Sequence, residues 1–205
     1  GLLVSLEKGR YDMLEIVSEA VKSMSEGELL QLQKAHKMNI NETDYIKIIG
    51  SKTAALISAC TACGAASVTN NPEVIQIMKE MGENIGIAFQ IRDDILDYEG
   101  NNLTGKIIGN DIKERKITLP LIYVLEKSPL TKRTHILHIV RKKKKTKSEI
   151  EEVIKFVKDN GGIEYAILKM NQYRDKALAI LDSYPESDIK TSLKKFVIYT
   201  TSREN

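Results

Sequence analysis

The sequence predicts an all-α fold, a helical bundle, and three observations carry that reading. Apolar residues recur at three- and four-residue spacing through almost the whole chain, and cap and breaker residues punctuate it. Strand-favouring content is scarce, with no Trp, three Phe and few clusters of Val or Thr, which argues against a sandwich or barrel. The 205 residues suffice for one well-buried domain, and neither a fixed-period repeat nor a linker divides them.

Taken in order, residues 11–36 place Leu14, Val17, Val21 and Met24 on one helical face, continuing through Leu29, Leu30 and Leu32. Asn41 to Asp44 reads as a cap that opens a helix running to about residue 66. Asn71 with Pro72 is a stronger start, because proline at the first helical position gives up no needed donor. That helix is expected to reach about residue 97. Residues 100–109 hold three glycines and adjacent asparagines and read as an exposed loop. Shorter helices follow over 119–126, from Ser128 and Pro129, and from a Ser148 cap with Glu151 three residues on, ending at Gly161 and Gly162. Two more cover 164–182 and 187–200.

The charge is nearly balanced, 31 Lys plus Arg against 28 Asp plus Glu for a net +3, which speaks against a whole-protein trap for nucleic acid. Two cysteines cannot build a disulfide framework, and no charged-then-apolar leader opens the chain, so a reducing, cytoplasmic setting is expected. The uncharged stretch 53–72 is broken by Ser, Thr, Cys, Gly and Asn and reads as a buried helix and turn, not a membrane span.

The segment richest in chemistry is 82–97, GENIGIAFQIRDDILD. On a helix, Gly82, Gly86, Gln90, Asp93 and Asp97 form a seam beside an apolar stripe. Asp93 and Asp97 stand one turn apart with Asp94 beside them, so two or three carboxylates are expected to project toward one point. Like charges at that spacing repel, and a divalent cation is a natural reason to tolerate them. Oxygen ligands with no nearby His or Cys suit Mg2+, which keeps waters and bridges to substrate phosphates. Lys52 interrupts an apolar stripe of Tyr45, Ile49, Leu56, Ala59 and Cys63. A buried lysine needs an anion, either an internal carboxylate or a bound phosphate. Thr53 can aim a hydroxyl into the same space. Segment 105–120, GKIIGNDIKERKITLP, adds Asp111 and two cations, Lys106 and Lys116, that could fold over a metal-bridged diphosphate.

These residues together resemble the trans-type polyprenyl diphosphate synthases, similar to bacterial octaprenyl and other all-trans chain-elongating synthases. The resemblance rests on Gly27-Glu28 with Gln31, on Lys52-Thr53-Ala54, and on Phe89-Gln90 ahead of Asp93-Asp94-x-x-Asp97. Gly105-Lys106, Gly109-Asn110-Asp111 and Lys116 with Thr118-Leu119-Pro120 complete it. One departure stands out: the family pattern usually has glycine where Arg115 precedes Lys116. The resemblance implies a bundle of the isoprenoid synthase type with two aspartate-rich motifs facing each other across a deep cavity. Only the second motif has a counterpart here, so residues 1–205 are expected to be the C-terminal part of a single polyprenyl synthase domain, lacking its N-terminal helices.

By the same resemblance, the activity is Mg2+-dependent condensation of isopentenyl diphosphate with an allylic prenyl diphosphate, by a homodimer. Asp93, Asp94 and Asp97 would hold the metal; Lys52, Lys106 and Lys116, with Asp111, would meet diphosphate. Thr53, Phe89 and Gln90 would line the allylic cation. An alternative from another class is a non-catalytic helical partner or regulatory subunit with the same fold. Cys60 and Cys63 form CxxC without a second pair, and read as small core residues. His135 and His138 read as solvated surface. The basic run RKKKK between Arg141 and Lys145 reads as an inter-helix loop, with peripheral membrane contact, through it or through the product, as a lesser reading.

Two outcomes are expected. In the complete enzyme, Asp93→Ala should lower turnover at least about a hundredfold, as loss of a principal electrostatic contact does. The 205-residue chain alone should not elongate prenyl diphosphates in a radiolabelled isopentenyl diphosphate assay, because orientation of both substrates contributes roughly 7–11 kcal/mol to such a reaction.

Overall fold

The apolar faces converge on one long helix. The computed structural model describes residues 2–37, 39–99 and 108–203, and among them the regular elements are all helical. They are α1 (Leu2–Glu7), α2 (Tyr11–Lys37), α3 (Glu42–Ile49), α4 (Ala55–Ala66), α5 (Pro72–Glu99), α6 (Asn110–Lys113), α7 (Leu119–Lys127), α8 (Leu130–Arg141), α9 (Lys147–Asp159), α10 (Gly162–Asp182) and α11 (Asp188–Ser202). Helix α5 is central, flanked by α4 on one side and α10 on another, with α2 covering α4. Its Ile87, Ala88, Ile91, Ile95 and Tyr98 join a core with residues of α7, α9 and α10. A smaller cluster of Met81, Ile85, Ala177, Leu181 and Val197 ties α5 to α10 and α11.

Local signals explain most boundaries. Asn41 Oδ1 accepts from the Asp44 amide at 2.8 Å, so the expected cap forms, and Ser187, expected only as the start of the last helix, caps it by accepting from the Lys190 amide at 3.1 Å. The expected Ser148 cap does not. Thr146 caps α9 instead, through a reciprocal box with Glu149, because a start two residues earlier satisfies both orphan amides while Ile150, Val153 and Phe156 face the core. Gly109 is buried instead of exposed; it adopts φ +74, and a β-carbon there would lie 2.5 Å from Ile150 Cγ2. Residues 100–107 of that expected loop lie outside the described residues.

One feature had no sequence expectation. The helix expected from Asp44 to residue 66 widens between α3 and α4 into a π turn, Gly50–Ala54. The seam of small residues on α5 lies directly against this stretch. A β-carbon on Gly86 would sit 2.4 Å from Ala54 Cα, and one on Gly82 would sit 2.8 Å from the Ile57 carbonyl oxygen. Both are backbone contacts that no rotamer change relieves, so glycine is what lets the two helices cross this closely. Segment Glu42–Ala66 is also the one stretch, among the described residues, long and apolar enough to cross a membrane by length and composition. Here it packs between α2 and α5.

Gly86→Ala is therefore expected to cost about 1–3 kcal/mol by overpacking. Gly64→Ala, in α4 where an added β-carbon meets nothing within 4 Å, should gain about 0.5–1 kcal/mol from helix propensity. Urea unfolding of the two variants side by side checks the opposite signs; a gain at Gly86 would refute the close crossing.

Candidate functional site

The π turn carries Lys52 and Thr53. Such turns add a residue to the helical repeat and so displace side chains from the regular face, which is why they recur at functional sites. Two glycines grip it from opposite sides: Gly86 against Ala54, and Gly27 of α2, whose added β-carbon would lie 2.8 Å from Ser51 Cβ. Below the turn opens a cavity of about 250 Å3. Ile40, Ile48, Ile49 and Ile117 give it an apolar wall, while Gln31, Lys52, Thr53, Gln90, Asp111 and Lys116 supply polar groups.

A chain of hydrogen bonds runs through one wall. Thr53 Oγ1 donates to Gln90 Oε1 at 2.9 Å, and Gln90 Nε2 donates to Asp94 Oδ1 at 2.9 Å. Tyr45 Oη donates to Asp94 Oδ2 at 2.7 Å. Asp94 is only 5% exposed; burial, then the nearby charge of Asp111, push its pKa up to about 7 against these hydrogen bonds. The Gln90 amide is oriented by this chain, since its NH2 must face the carboxylate and its oxygen then faces Thr53.

The three aspartates do not project toward one point, contrary to the expectation from spacing. Asp94 turns inward. Asp97 Oδ1 and Oδ2 accept the amides of Asn110 and Asp111, both at 3.0 Å, so this carboxylate holds the start of α6. Asp93 pairs with Arg203 Nη2 at 3.1 Å, and the Arg203 guanidinium lies 4.0 Å above the Phe89 ring. Neighbouring helical positions differ by about 100°, and a partner from a different part of the chain claims each acid. Among the described residues no three metal-ligating side chains are clustered. Phe89 likewise lies under Arg203 and outside the cavity lining. An all-protein metal cage is thus absent from this arrangement, but Mg2+ characteristically takes one or two carboxylates and completes its shell with waters and phosphates. Asp93, 45% exposed in its side chain, fits that role.

The cations are poised and partnered. Lys52, expected to be buried, keeps 42% of its side chain exposed and pairs with Glu28 at 2.6 Å, while donating to Gln31 Oε1 at 2.9 Å; its stem lies along the apolar face and its ammonium reaches the cavity. Lys116 pairs with Glu114 at 2.7 Å and Asp111 at 3.4 Å. Burial and the neighbouring Asp97 raise the Asp111 carboxyl above its ordinary range, against the pull of Lys116. Lys106 lies outside the described residues. Three site residues had no sequence assignment to it: Tyr45, read only as part of an apolar stripe, Arg115, and Arg203, which carries no local motif. His135 and His138 are exposed, and His135 Nε2 lies 2.8 Å from Glu152. Cys60 and Cys63 are unbridged, and Cys60 is exposed instead of a core residue.

Comparison with known proteins follows the same lines. Residues 2–157 match the family described as Polyprenyl synthetase. The octaprenyl diphosphate synthase of Escherichia coli is 32% identical over 187 residues, covering 90% of this chain and 57% of that protein. The all-trans-nonaprenyl-diphosphate synthase (geranyl-diphosphate specific) of Rhodobacter capsulatus is 35% identical over 195 residues, 94% of this chain and 58% of that one. The chain thus spans less than two thirds of these curated relatives. Among solved structures, the geranylgeranyl pyrophosphate synthase from Bacteroides thetaiotaomicron superposes with a TM-score of 0.91 at 38% identity, over 98% of this chain and 67% of that one.

The buried carboxyl yields a pH prediction. Asp94 has its pKa raised on folding from 3.8 to about 7, so the folded state binds the extra proton. Its contribution is fully present below about pH 4 and is lost as pH rises through about 7. Asp94→Asn, which cannot ionise and keeps the chain if the Gln90 amide turns over, should match the parent near pH 4. At pH 8 it should exceed the parent, by at most about 4 kcal/mol. Unfolding curves in a chelator from pH 4 to 8 check this, and parallel pH profiles would contradict it.

Proposed function

Because the chain belongs to the polyprenyl synthetase family, we propose that this cavity binds prenyl diphosphate in a Mg2+-dependent trans-prenyltransferase joining isopentenyl diphosphate to an allylic diphosphate. The observation that carries the reading is one cavity with an apolar wall of isoleucines and a mouth bearing Lys52, Lys116 and Asp111. An isoprenoid diphosphate has the same division between hydrocarbon and charge.

In this reading the allylic carbon–oxygen bond breaks, the isopentenyl double bond attacks the resulting cation, and a proton leaves the adduct. Lys52 and Lys116 neutralise charge growing on the departing pyrophosphate, where fixed cations count for more than in the ground state. Gln90 and Thr53 line the cavity, where the partial negative charge of their oxygens would favour a carbocation. The apolar wall keeps water from that cation. Asp93 would hold Mg2+, and the ion when bound would supply Lewis-acid neutralisation of diphosphate charge. Asp97 acts at one remove, by fixing the α6 turn that presents Asp111 and Lys116.

We place a homodimer in the same reading. Helix α2 leaves Tyr11, Val21, Leu29 and Leu32 exposed, more apolar surface than one solvated helix ordinarily shows. Sedimentation velocity at micromolar concentration should show a dimer; a well-folded monomer would count against it.

Calorimetric titration with inorganic pyrophosphate tests the site itself. Binding is expected in Mg2+ and should disappear in EDTA, and Asp93→Ala should weaken it about tenfold or more, the worth of a charge-assisted contact. Failure of the unmodified chain to bind pyrophosphate would refute the reading and favour a non-catalytic helical partner.

A further inference from the structure

Among the described residues, Arg115 is the one non-glycine residue with a positive φ, at +63. Its place explains the conformation. The Lys116 amide donates to the Asp111 carbonyl at 2.8 Å and the Arg115 amide to the Ile112 carbonyl at 3.1 Å, so α6 ends in a Schellman turn with Arg115 at the left-handed position. That position is ordinarily glycine, sometimes asparagine, because a β-carbon crowds the following carbonyl. The backbone therefore disfavours arginine here, and any reason for arginine lies in its side chain.

Arg115 is one of the residues that line the cavity, as are Lys52, Asp111 and Lys116. Those neighbouring ammonium groups are each held by protein carboxylates, Lys52 by Glu28 and Lys116 by Glu114 and Asp111. The Arg115 guanidinium has no ion pair or side-chain hydrogen bond among the described residues. Its charge is felt locally, since with burial it holds the Lys145 pKa below the ordinary lysine range. Arg115 is exposed, so its cation faces solvent where it borders the cavity; a left-handed residue with a β-carbon there is a strained conformation kept at a site.

We propose that Arg115 is a diphosphate-binding residue of this cavity, gripping two phosphate oxygens with its planar fork beside the point charges of Lys52 and Lys116. The inference rests on the proposed diphosphate site. It adds a ligand at a position where the family resemblance expects glycine. A guanidinium can hold two oxygens of one phosphate at once, which an ammonium cannot. The turn that constrains its backbone also limits the conformations the side chain must give up on binding.

The test sets affinity against stability. Inorganic pyrophosphate is titrated calorimetrically in Mg2+ into the parent chain and into Arg115→Gly, Arg115→Asn and Arg115→Lys, with Asp93→Ala as reference. Glycine and asparagine suit the left-handed backbone but lack the cation. Both should weaken binding about tenfold or more, with thermal midpoints within about 2 °C of the parent or higher. Lysine should recover part of the affinity. If Arg115→Gly and Arg115→Asn bind within twofold of the parent while Asp93→Ala is weakened, Arg115 is not a ligand and the diphosphate site stands without it. If the parent binds no pyrophosphate, both readings fall together. A fall in midpoint with affinity retained would likewise overturn the proposal, since it would assign Arg115 to the fold.

Discussion

The site depends on how closely α5 approaches the π turn. With an ordinary side chain at position 86 the two backbones would have to separate, because its β-carbon would come within 2.4 Å of Ala54 Cα. Thr53 follows one residue before that contact, and its 2.9 Å bond to Gln90 has no slack to absorb such a shift. From Gln90 the chain continues to Asp94 and Tyr45. A packing constraint between glycine and alanine thus sets the direction of an amide dipole and the environment of a buried acid. These groups stand on helices packed on several sides, which positions a constellation more precisely than loops do.

Fold and site were legible to different degrees, for physical reasons that particular residues show. The helices α5 and α10 were readable because each buries one stripe, and burial of a stripe imposes its period on the sequence; α2 and α11 show the same period although they leave Val21, Leu29, Leu32, Ile189 and Phe196 exposed. The cap at Asn41 was readable because the acceptor and its amides lie within three residues. At the start of α9 two overlapping boxes exist, Thr146 with Glu149 and Ser148 with Glu151, and local chemistry does not separate them. The choice comes from which start turns Ile150, Val153 and Phe156 into the core, a tertiary matter. The π turn left no local trace at all, since it arises where α4 meets the glycines of a helix some thirty residues on.

The acidic motif shows the same division. Residue types and spacing singled out 93, 94 and 97 as a group, yet their directions followed from distant partners. Arg203 draws Asp93, Tyr45 draws Asp94, and the amides of residues 110 and 111 draw Asp97. A spacing rule places α-carbons on a helix face; it does not say where a carboxylate finds its hydrogen bonds. Arg115 is the converse case. Its identity marked it as a departure, and only the backbone conformation of the turn gives the departure physical content.

The site's charges then fall into two classes with different consequences for binding. Asp93, Lys52 and Lys116 are partly exposed, and each already has a protein counter-ion. Exposed pairs of this kind contribute only about 0–1 kcal/mol, so in the proposed reading a diphosphate can exchange partners with Lys52 and Lys116 at little cost, releasing Glu28 or Glu114 into water. Arg203, 20% exposed in its side chain, would instead lose Asp93 while largely buried. Asp94 cannot exchange in this way. It is buried, its two oxygens are occupied by Tyr45 and Gln90, and loss of either donor would leave a carboxylate without solvent to replace it. Ligand-dependent rearrangement should therefore be confined to the outer ion pairs. The inner hydrogen-bond chain holds Thr53 and Gln90 in place, which in the proposed reading is what stabilisation of a short-lived cation requires of dipoles that have no time to reorient.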